Sequence, residues 1–319
     1  MNINFAFLRH GHGCHNSISN LVKYDVISID DGMKFMKANK DDNILTKMFK
    51  QKSFTLNDPV LTEIGVEASI YNGCIINKIL RNLSQFTNKK ELEMKTFNVV
   101  GCSPLLRSME TAYYMTRKWK NPPDQIYVFP LLREIDESSI DKYSEKSKEI
   151  IRITPSYSMK TIKEQKEYLR GLGILDKFNF SFVEAFPTER IEPGDIAEFI
   201  MWFGKYFIKL LNKQTDLNVF IITHAGVLKD FSKQGFYNNS GFVINTYFDN
   251  VKRGFAINQY VSLNNYIEKY NFFKDYNNPT YNTKSYYCPS NRCGQLCSVA
   301  SGRMQDKVKK INLYCDPDS

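Results

Sequence analysis

Runs of apolar residues that end in polar or glycine-containing turns recur along the chain, and such runs predict buried β-strands. The first run is Phe5 to Leu8, and a second run of the same kind is Val219 to Ile222. Each is followed by a histidine and a small turn, with His10 after the first run and His224 after the second. Because α/β sheets bind ligands at the carboxyl ends of their strands, the two histidines are expected to lie side by side at such an edge.

Segments with helical spacing of apolar residues alternate with the predicted strands. Strands are predicted at 3–8, 97–102, 125–132 and 218–223, with one or two more within 242–263. Helices are predicted from Ile64 to Leu83 with Thr62 as the cap, from Leu105 to Trp119, from Thr161 to Leu169, from Gly194 to Asn212 and from Val227 onward. This alternation predicts an α/β sheet that carries helices on both faces.

The predicted elements fall into one domain, residues 1–270, with irregular insertions at about 17–57 and 137–193. The remainder, residues 271–319, is an extension of unknown role that is rich in Tyr, Asn and Lys. Four of the seven cysteines lie there: Cys288, Cys293, Cys297 and Cys315. A zinc site is one interpretation of these cysteines, but their spacing lacks the paired C-x2-C units of common sites, so an extension without metal is favoured.

The net charge of +9 suits an anionic partner without choosing among them. No run of five like charges occurs, so a nucleic-acid-binding arm is not indicated. The most apolar stretch, Ile196 to Leu211, carries three charged residues and is too short to span a membrane. With the motif strand beginning at Ile3 and an odd number of cysteines, we expect no secretory signal, reduced thiols and a cytoplasmic location.

Five polar side chains follow predicted strands and form the inventory for phosphoryl transfer through a histidine: Arg9, His10, Arg107, Glu134 and His224. A neutral nitrogen of His10 can attack phosphorus and form a phosphohistidine. The two arginines can bind the phosphate oxygens through bidentate, charge-assisted hydrogen bonds. Glu134 can protonate the leaving alkoxide, if burial raises its pKa, and then activate the water that hydrolyses the phosphohistidine. His224 in its protonated form, and backbone amides near Gly11 and Ala225, are candidate further donors.

Four sequence motifs occur in a fixed order between about residues 3 and 265: Arg9-His10-Gly11 with Asn16, Asp58 to Gly65, Ser103 to Thr111, and Ile222 to Gly226. In these motifs the chain resembles the histidine phosphatase superfamily, also called phosphoglycerate-mutase-like. The resemblance implies a three-layer α/β/α sandwich with a mostly parallel central sheet, no metal and no cofactor. It also implies that His10 is phosphorylated in a pocket formed by Arg9, Arg107 and His224, with a further contact from Asn16. Since Ala225 follows His224, the proton donor implied is Glu134, as in the mutase-like branch.

The segment around Glu134 departs from that of the mutases. It reads Arg133 to Ser138, and no arginine pair for a substrate carboxylate follows nearby. We therefore expect a phosphatase that acts on a small phosphorylated substrate, with a phosphoprotein less favoured, and with the second insertion as a helical cap over the site. The alternatives are a cofactor-dependent mutase and a catalytically idle phosphate-recognition protein.

Several residues near the motifs have more than one interpretation. Glu134 could instead pair with a site arginine, which would make Asp136 and Glu137 rival proton donors. His12 and His15 allow a His-x-His-x-x-His metal site, although loop residues that line the entrance or face solvent are favoured. The default for Cys14 in the same loop is a small packed side chain. Asp58 and Thr62 are expected to cap and orient helices.

Overall fold

The computed structural model describes residues 2–13, 15–16, 58–135, 161–185, 194–207, 216–249 and 254–267. Within these ranges seven strands form one mixed sheet: β1 (Asn2–Arg9), β2 (Val99–Cys102), β3 (Ile126–Val128), β4 (Phe178–Asn179), β5 (Asp216–Thr223), β6 (Gly241–Asp249) and β7 (Gly254–Ser262). The order across the sheet is β4-β3-β2-β5-β1-β6-β7. The first five are parallel, whereas β6 is antiparallel to β1 and β7 to β6. The predicted α/β class with a mostly parallel sheet is confirmed.

The described helices connect these strands: α1 (Glu63–Arg81), α2 (Ser84–Thr87), α3 (Leu106–Thr116), α4 (Ile162–Gly171), α5 (Ser181–Glu184), α6 (Ile196–Trp202), α7 (Ala225–Ser232) and α8 (Asn264–Ile267). The predicted cap of α1 is confirmed, because the hydroxyl of Thr62 accepts a hydrogen bond from the backbone N–H of Gly65 at 2.9 Å. Thr161 caps α4 in the same way and exchanges hydrogen bonds with Glu164, the pattern of a capping box.

Alternate residues of β1 lie in two separate apolar clusters. Ala6 and Leu8 pack in the cluster that contains apolar residues of α1, α3 and α4, whereas Phe5 and Phe7 pack in the cluster that contains residues of α6 and α7. Since successive side chains of a strand point to opposite faces, helices cover both faces of the sheet, as the sequence predicts. All four of these β1 side chains are fully buried, which fixes the strand's register.

The structure shortens one predicted strand and adds another. The strand predicted at 125–132 ends at Val128 as β3, and a 3-10 turn occupies Pro130–Leu132. Proline has no N–H to donate to a sheet, so the ladder ends before it. The two-residue strand β4, which was not predicted, joins the sheet edge from within the second predicted insertion. The predicted helix over 194–212 continues past α6 as a π-helical turn, Phe203–Phe207, and its last part, residues 208–212, lies outside the described ranges.

Some predictions concern residues outside the described ranges. These are the first insertion at 17–57, the parts of the second insertion at 137–160 and 186–193, and the extension 271–319 with its cysteines. The described part of the second insertion, residues 161–185, confirms the helix predicted there as α4.

The described helices and cysteines bear on two expectations drawn from composition. No helix in the described ranges combines the length and the apolar character that a membrane crossing requires. Cys102 on β2 is a buried free thiol, and burial raises its pKa. Cys74 on α1 takes part in a disulfide bond, so the expectation of reduced thiols is wrong for this residue.

Candidate active site

The two histidines that follow matching apolar runs meet at one edge of the sheet. Strands β1 and β5 are parallel neighbours in a register that places Arg9 opposite Thr223. The backbone N–H of His10 continues this pairing and donates to the carbonyl oxygen of Thr223 at 2.9 Å. The imidazole rings of His10 and His224 consequently have their centroids 5.1 Å apart. The prediction that these strand ends lie side by side is confirmed.

The imidazole of His10 is held in a defined orientation. Its Nδ1 lies 2.6 Å from the carbonyl oxygen of Gly11, an acceptor, so Nδ1 carries the hydrogen and donates it. The lone pair is then on Nε2, which accepts a hydrogen bond from Nε of Arg107 at 3.3 Å. The ring is 1 % exposed. Burial lowers the pKa of His10 well below its ordinary value, and Arg107, His224 and Arg9 lower it further. His10 is therefore a neutral imidazole that presents a nucleophilic Nε2.

Two guanidinium groups are positioned around this nitrogen by the backbone elements that carry them. Arg107 lies in the first turn of α3, is fully buried and is among the largest completely buried side chains in the described structure. Arg9 is the last residue of β1, and its Nη1 donates to the carbonyl oxygen of Phe236 at 2.9 Å. Two fixed cations beside a neutral imidazole form an anion-binding environment.

A buried polar network fixes the start of α3. One carboxylate oxygen of Asp58 accepts from the backbone N–H of Leu106 at 2.8 Å, next to Arg107. The other accepts from Nε2 of Gln165 on α4 at 2.7 Å, and the same amide nitrogen lies 2.7 Å from the carbonyl oxygen of Pro104. Asp58 thus orients the helix that carries Arg107, as the sequence predicts, whereas the contribution of Gln165 has no local signal in the sequence.

His224 faces hydroxyl groups rather than a backbone carbonyl. Its Nε2 lies 2.7 Å from the hydroxyl of Ser103 and 3.3 Å from that of Ser108. Burial lowers the pKa of His224 well below its ordinary value, with Arg107 as the next cause. His224 is therefore neutral in the free protein, and the approach of a phosphate dianion would raise its pKa. The two serines were not predicted as site residues, although both lie within the motif that contains Arg107.

The carboxyl group of Glu134 lies on the other side of His224. Its Oε1 accepts hydrogen bonds from the backbone N–H groups of Gly226 and Ile135, each at 3.2 Å. Its Oε2 is 3.7 Å from Nδ1 of His224, which is too long for a hydrogen bond. The side chain is 12 % exposed, and burial raises the pKa of Glu134 against the opposing effect of the two arginines. With Oε1 accepting twice, a proton on this carboxyl group sits on Oε2.

Two glycines of the motifs allow close approaches at the site. A Cβ on Gly226 would lie 2.6 Å from Oε1 of Glu134, so a side chain there would displace the carboxyl group. A Cβ on Gly11 would lie 2.5 Å from the hydroxyl of Ser69 on α1, which packs against the loop that holds His10. Both positions require glycine for space, since neither has a positive φ.

The remaining candidates of the His10 loop have structural contacts of their own. Oδ1 of Asn16 accepts from the backbone N–H of Gly13 at 2.9 Å and closes the loop. Its contact with phosphate stays a prediction. His12 and His15 are 5 % and 6 % exposed, so the expectation that they face solvent is wrong, and a place at the entrance stays a prediction.

Each of these two histidines has a distinct position. Nδ1 of His12 lies 3.1 Å from the hydroxyl of Thr62, and burial lowers the pKa of His12 to about 3. The ring centroid of His15 is 5.4 Å from that of His10, and burial with the neighbouring Arg107 lowers its pKa well below the ordinary value. His15 is therefore a neutral imidazole beside His10. Cys14 lies outside the described residues.

One predicted phosphate donor is occupied by another partner. The backbone N–H of Gly11 donates to the hydroxyl of Thr111 on α3 at 2.8 Å, so in this structure it stabilises the loop instead. The hydroxyl of Thr111 in turn donates to the carbonyl oxygen of Arg107 at 2.7 Å. A donor role for the amide of Ala225 stays a prediction.

Three ligand atoms, one each from His10, Glu134 and His224, lie within 4.8 Å of one another, a spacing that a metal ion could bridge. Among the described residues, the group differs from the possible His-x-His-x-x-His metal site, because it does not include His12 or His15. The charges nearby favour an anion, because Arg9 and Arg107 lie close enough to lower the pKa values of both site histidines. A divalent cation would add to these positive charges, whereas a phosphate group would offset them.

Comparison with protein families and curated proteins found no relative of this chain, since no family model and no curated protein matches it.

Proposed function

We propose that this chain is a histidine phosphatase that hydrolyses a phosphomonoester through a phosphohistidine formed at Nε2 of His10. The observation that carries the proposal is the state of this imidazole. It is buried and neutral, it donates from Nδ1 to its neighbouring carbonyl oxygen, and its Nε2 lone pair lies 3.3 Å from Nε of Arg107. A nucleophile beside a guanidinium group suits attack on a phosphorus atom whose oxygens carry negative charge.

As the phosphate group binds, the hydrogen bond donated by Nε–H of Arg107 passes from Nε2 of His10 to a phosphate oxygen, which releases the lone pair. In the first step, Nε2 of His10 then attacks phosphorus, the N–P bond forms and the ester P–O bond breaks. Arg9 and Arg107 bind the equatorial oxygens, and the positive charge that develops on the His10 ring strengthens its hydrogen bond to the Gly11 carbonyl oxygen. The leaving alkoxide takes the proton from Oε2 of Glu134. The raised pKa of Glu134 supports this role, because it increases the protonated fraction of the carboxyl group.

In the second step, a water molecule attacks phosphorus and gives its proton to the carboxylate of Glu134. The N–P bond breaks, phosphate leaves, and His10 returns to the neutral state with its hydrogen on Nδ1. The carboxyl group is protonated again and ready for another substrate molecule. His224 contacts the phosphoryl oxygens throughout and is supported from behind by the hydroxyls of Ser103 and Ser108.

Under this proposal the sheet and the helices on its two faces form a three-layer α/β/α sandwich. The helical cap expected from the second insertion stays a prediction, because residues 161–185 of that insertion pack in the core and at the sheet edge and the rest lies outside the described ranges. The substrate is a small phosphorylated molecule, and the enzyme works in the cytoplasm without a metal or cofactor. The absence of an arginine pair after Glu134 supports a phosphatase over a mutase.

The test is release of phosphate from a panel of phosphomonoesters in the presence of a chelator, with wild type and His10→Ala compared. We expect turnover that survives the chelator in the wild type and is lost in the variant, with an acid-labile phosphoenzyme trapped in the wild type alone. Thermal melting checks that both proteins are folded. Activity that requires a bisphosphorylated primer would indicate a mutase. Folded wild type that turns over no member of the panel would contradict the proposal and favour a phosphate-binding protein.

A further inference from the structure

A four-residue turn before β6, the strand that flanks β1 on the side away from β5, forms hydrogen bonds with the backbone around His10. The turn, Tyr237 to Ser240, precedes β6 and is closed by a hydrogen bond from the N–H of Ser240 to the carbonyl oxygen of Tyr237 at 3.0 Å. The N–H of Arg9 donates to the carbonyl oxygen of Ser240 at 2.8 Å, and the N–H of Asn239 donates to that of Arg9 at 3.1 Å. This turn therefore continues the pairing of β1 with β6 beyond the strand ends.

The side chain of Asn238 extends this contact to the carbonyl groups of the motif itself. Its Nδ2 lies 3.0 Å from the carbonyl oxygen of His10 and 3.1 Å from that of Gly11. The Gly11 oxygen is also the acceptor for Nδ1–H of His10 at 2.6 Å. One oxygen thus receives both the imidazole hydrogen and the Asn238 amide, which uses both of its lone pairs.

The conformation of the turn explains why Asn238 can reach these oxygens. Asn239 has a φ of 61°, in the left-handed region that asparagine tolerates better than other side chains. Asn239 is buried, and its own Oδ1 lies 3.3 Å from the hydroxyl of Ser69 on α1. The turn is consequently held from both sides, and Asn238 projects from a fixed backbone.

We propose that Asn238 is a positioning residue for the nucleophile: by holding the Gly11 carbonyl group, it keeps the His10 hydrogen on Nδ1 and directs Nε2 toward Arg107. The inference rests on the proposed role of His10. Two donors on one carbonyl oxygen restrict the orientation of that peptide group, and a restricted acceptor restricts the imidazole that donates to it. Without Asn238, the peptide can rotate and the Nδ1–H bond weakens, so the ring can turn away from the Nε–H donor of Arg107 and the Nε2–H form becomes populated. In that form Nε2 has no lone pair with which to attack.

The experiment is ¹⁵N NMR of the histidine side chains, which separates a protonated from an unprotonated ring nitrogen, in wild type, Asn238→Ala and Asn238→Gln. The chain offers a matched control in Asn264→Ala. Nδ2 of Asn264 also donates to a backbone carbonyl oxygen of the same loop, that of Gly235 at 2.8 Å, but it does not contact His10. The His10 signals are assigned by their absence from His10→Gln.

We expect wild type and Asn264→Ala to show His10 with hydrogen on Nδ1 only, and Asn238→Ala to show a mixture of the two forms. Asn238→Gln, which keeps the NH₂ donor, should restore part of the wild-type pattern. In turnover of a phosphomonoester, kcat of Asn238→Ala should fall about 10- to 100-fold with a smaller change in KM, because misorientation affects attack more than binding.

An unchanged tautomer and a kcat within about twofold of wild type in Asn238→Ala would overturn the inference. An equal loss in Asn264→Ala would also overturn it, since general loosening of the loop would then explain the effect. The proposed function is tested separately. If wild type forms no phosphoenzyme while Asn238→Ala still shifts the tautomer, the hydrolytic function fails and the positioning role of Asn238 stands.

Discussion

His10 and His224 follow the same sequence pattern on neighbouring parallel strands, yet the structure surrounds them with different partners. The ring of His10 is hydrogen-bonded through Nδ1 to the carbonyl oxygen of Gly11 and through Nε2 to the guanidinium group of Arg107. The ring of His224 has hydroxyl groups at Nε2 and the carboxyl group of Glu134 near Nδ1. Burial lowers the pKa of both histidines well below the ordinary value, so both are neutral.

The difference lies in how many states each ring can take. The carbonyl oxygen beside His10 can only accept, so it fixes one tautomer and leaves Nε2 as a permanent lone pair. The hydroxyls beside His224 can donate or accept, and its carboxyl neighbour can lose a proton. His224 can therefore change protonation state when an anion binds, whereas His10 keeps its lone pair on Nε2, the state that the proposed attack on phosphorus requires. The shared pattern of a strand, a histidine and a small turn therefore determines where each imidazole lies. The groups that contact its ring nitrogens determine which protonation states it can adopt.

The largest expected effect is the loss of the nucleophile. His10→Gln keeps a polar side chain of similar volume but removes the attacking nitrogen, so kcat should fall at least about 10⁴-fold. No phosphoenzyme should be trapped by rapid quenching. If His10→Gln retained turnover within about tenfold of wild type, His10 would not be the nucleophile, and the proposed difference in role between His10 and His224 would be wrong.

His224→Gln should cost less, about 10²- to 10³-fold in kcat, because it removes one donor to the transferring phosphoryl group and leaves the nucleophile in place. Rapid quenching should still trap phosphohistidine, formed more slowly. If His224→Gln instead abolished the phosphoenzyme while His10→Gln retained it, the assignment of roles would be reversed.

Glu134→Gln tests the carboxyl group that lies beside His224. The loss of kcat in this variant should depend on the leaving group of the substrate. An alkyl phosphate needs a proton on the departing oxygen, so kcat should fall about 10²-fold. With p-nitrophenyl phosphate, whose leaving group is stable as an anion, the loss should stay below about tenfold.

The pH profile gives the same variant a second measurement. Activity on the alkyl ester requires protonated Glu134, so in wild type it should decline as pH rises through the raised pKa of this carboxyl group. This decline should be absent from the profile of Glu134→Gln. Equal losses on both esters, with an unchanged profile, would assign the proton donor to a residue other than Glu134.

The parts of the site that local sequence encodes were predictable. The strand run before His10, the strand run before His224 and the cap Thr62 all depend on residues within a few positions of each other, and the structure has them where the patterns indicate. Burial of strands on both faces also follows from continuous apolar runs, which is why the α/β class could be predicted.

The parts that depend on contacts between distant segments were not predictable. Asn238 contacts His10 from 228 positions away, and Gln165 contacts Asp58 from 107 positions away; neither residue belongs to a periodic or motif pattern. The strand β4 has two residues, too few for any alternation to be recognised. The burial of His12 and His15 escaped prediction because a loop without periodicity gives no indication of which side chains point inward.

The smallest expected effect concerns the property in which the two histidines agree. Both folded-state pKa values are lowered, so the unfolded chain binds protons that the native state does not once pH falls below the ordinary value of about 6.5. The stability from these groups is complete above that pH and is lost as pH falls toward the pKa values of the folded state, by at most about 1.4 kcal/mol per pH unit for each histidine.

His10→Gln and His224→Gln should each reduce the slope of unfolding free energy against pH by the same amount, as measured by urea unfolding between pH 7.5 and about pH 5. The opposing contribution of Glu134, whose raised pKa favours proton uptake by the native state, is present in all three proteins and drops out of the comparison. Slopes that differ between the two variants would mean that one ring is charged in the native state, and the division of roles would then begin before any substrate binds.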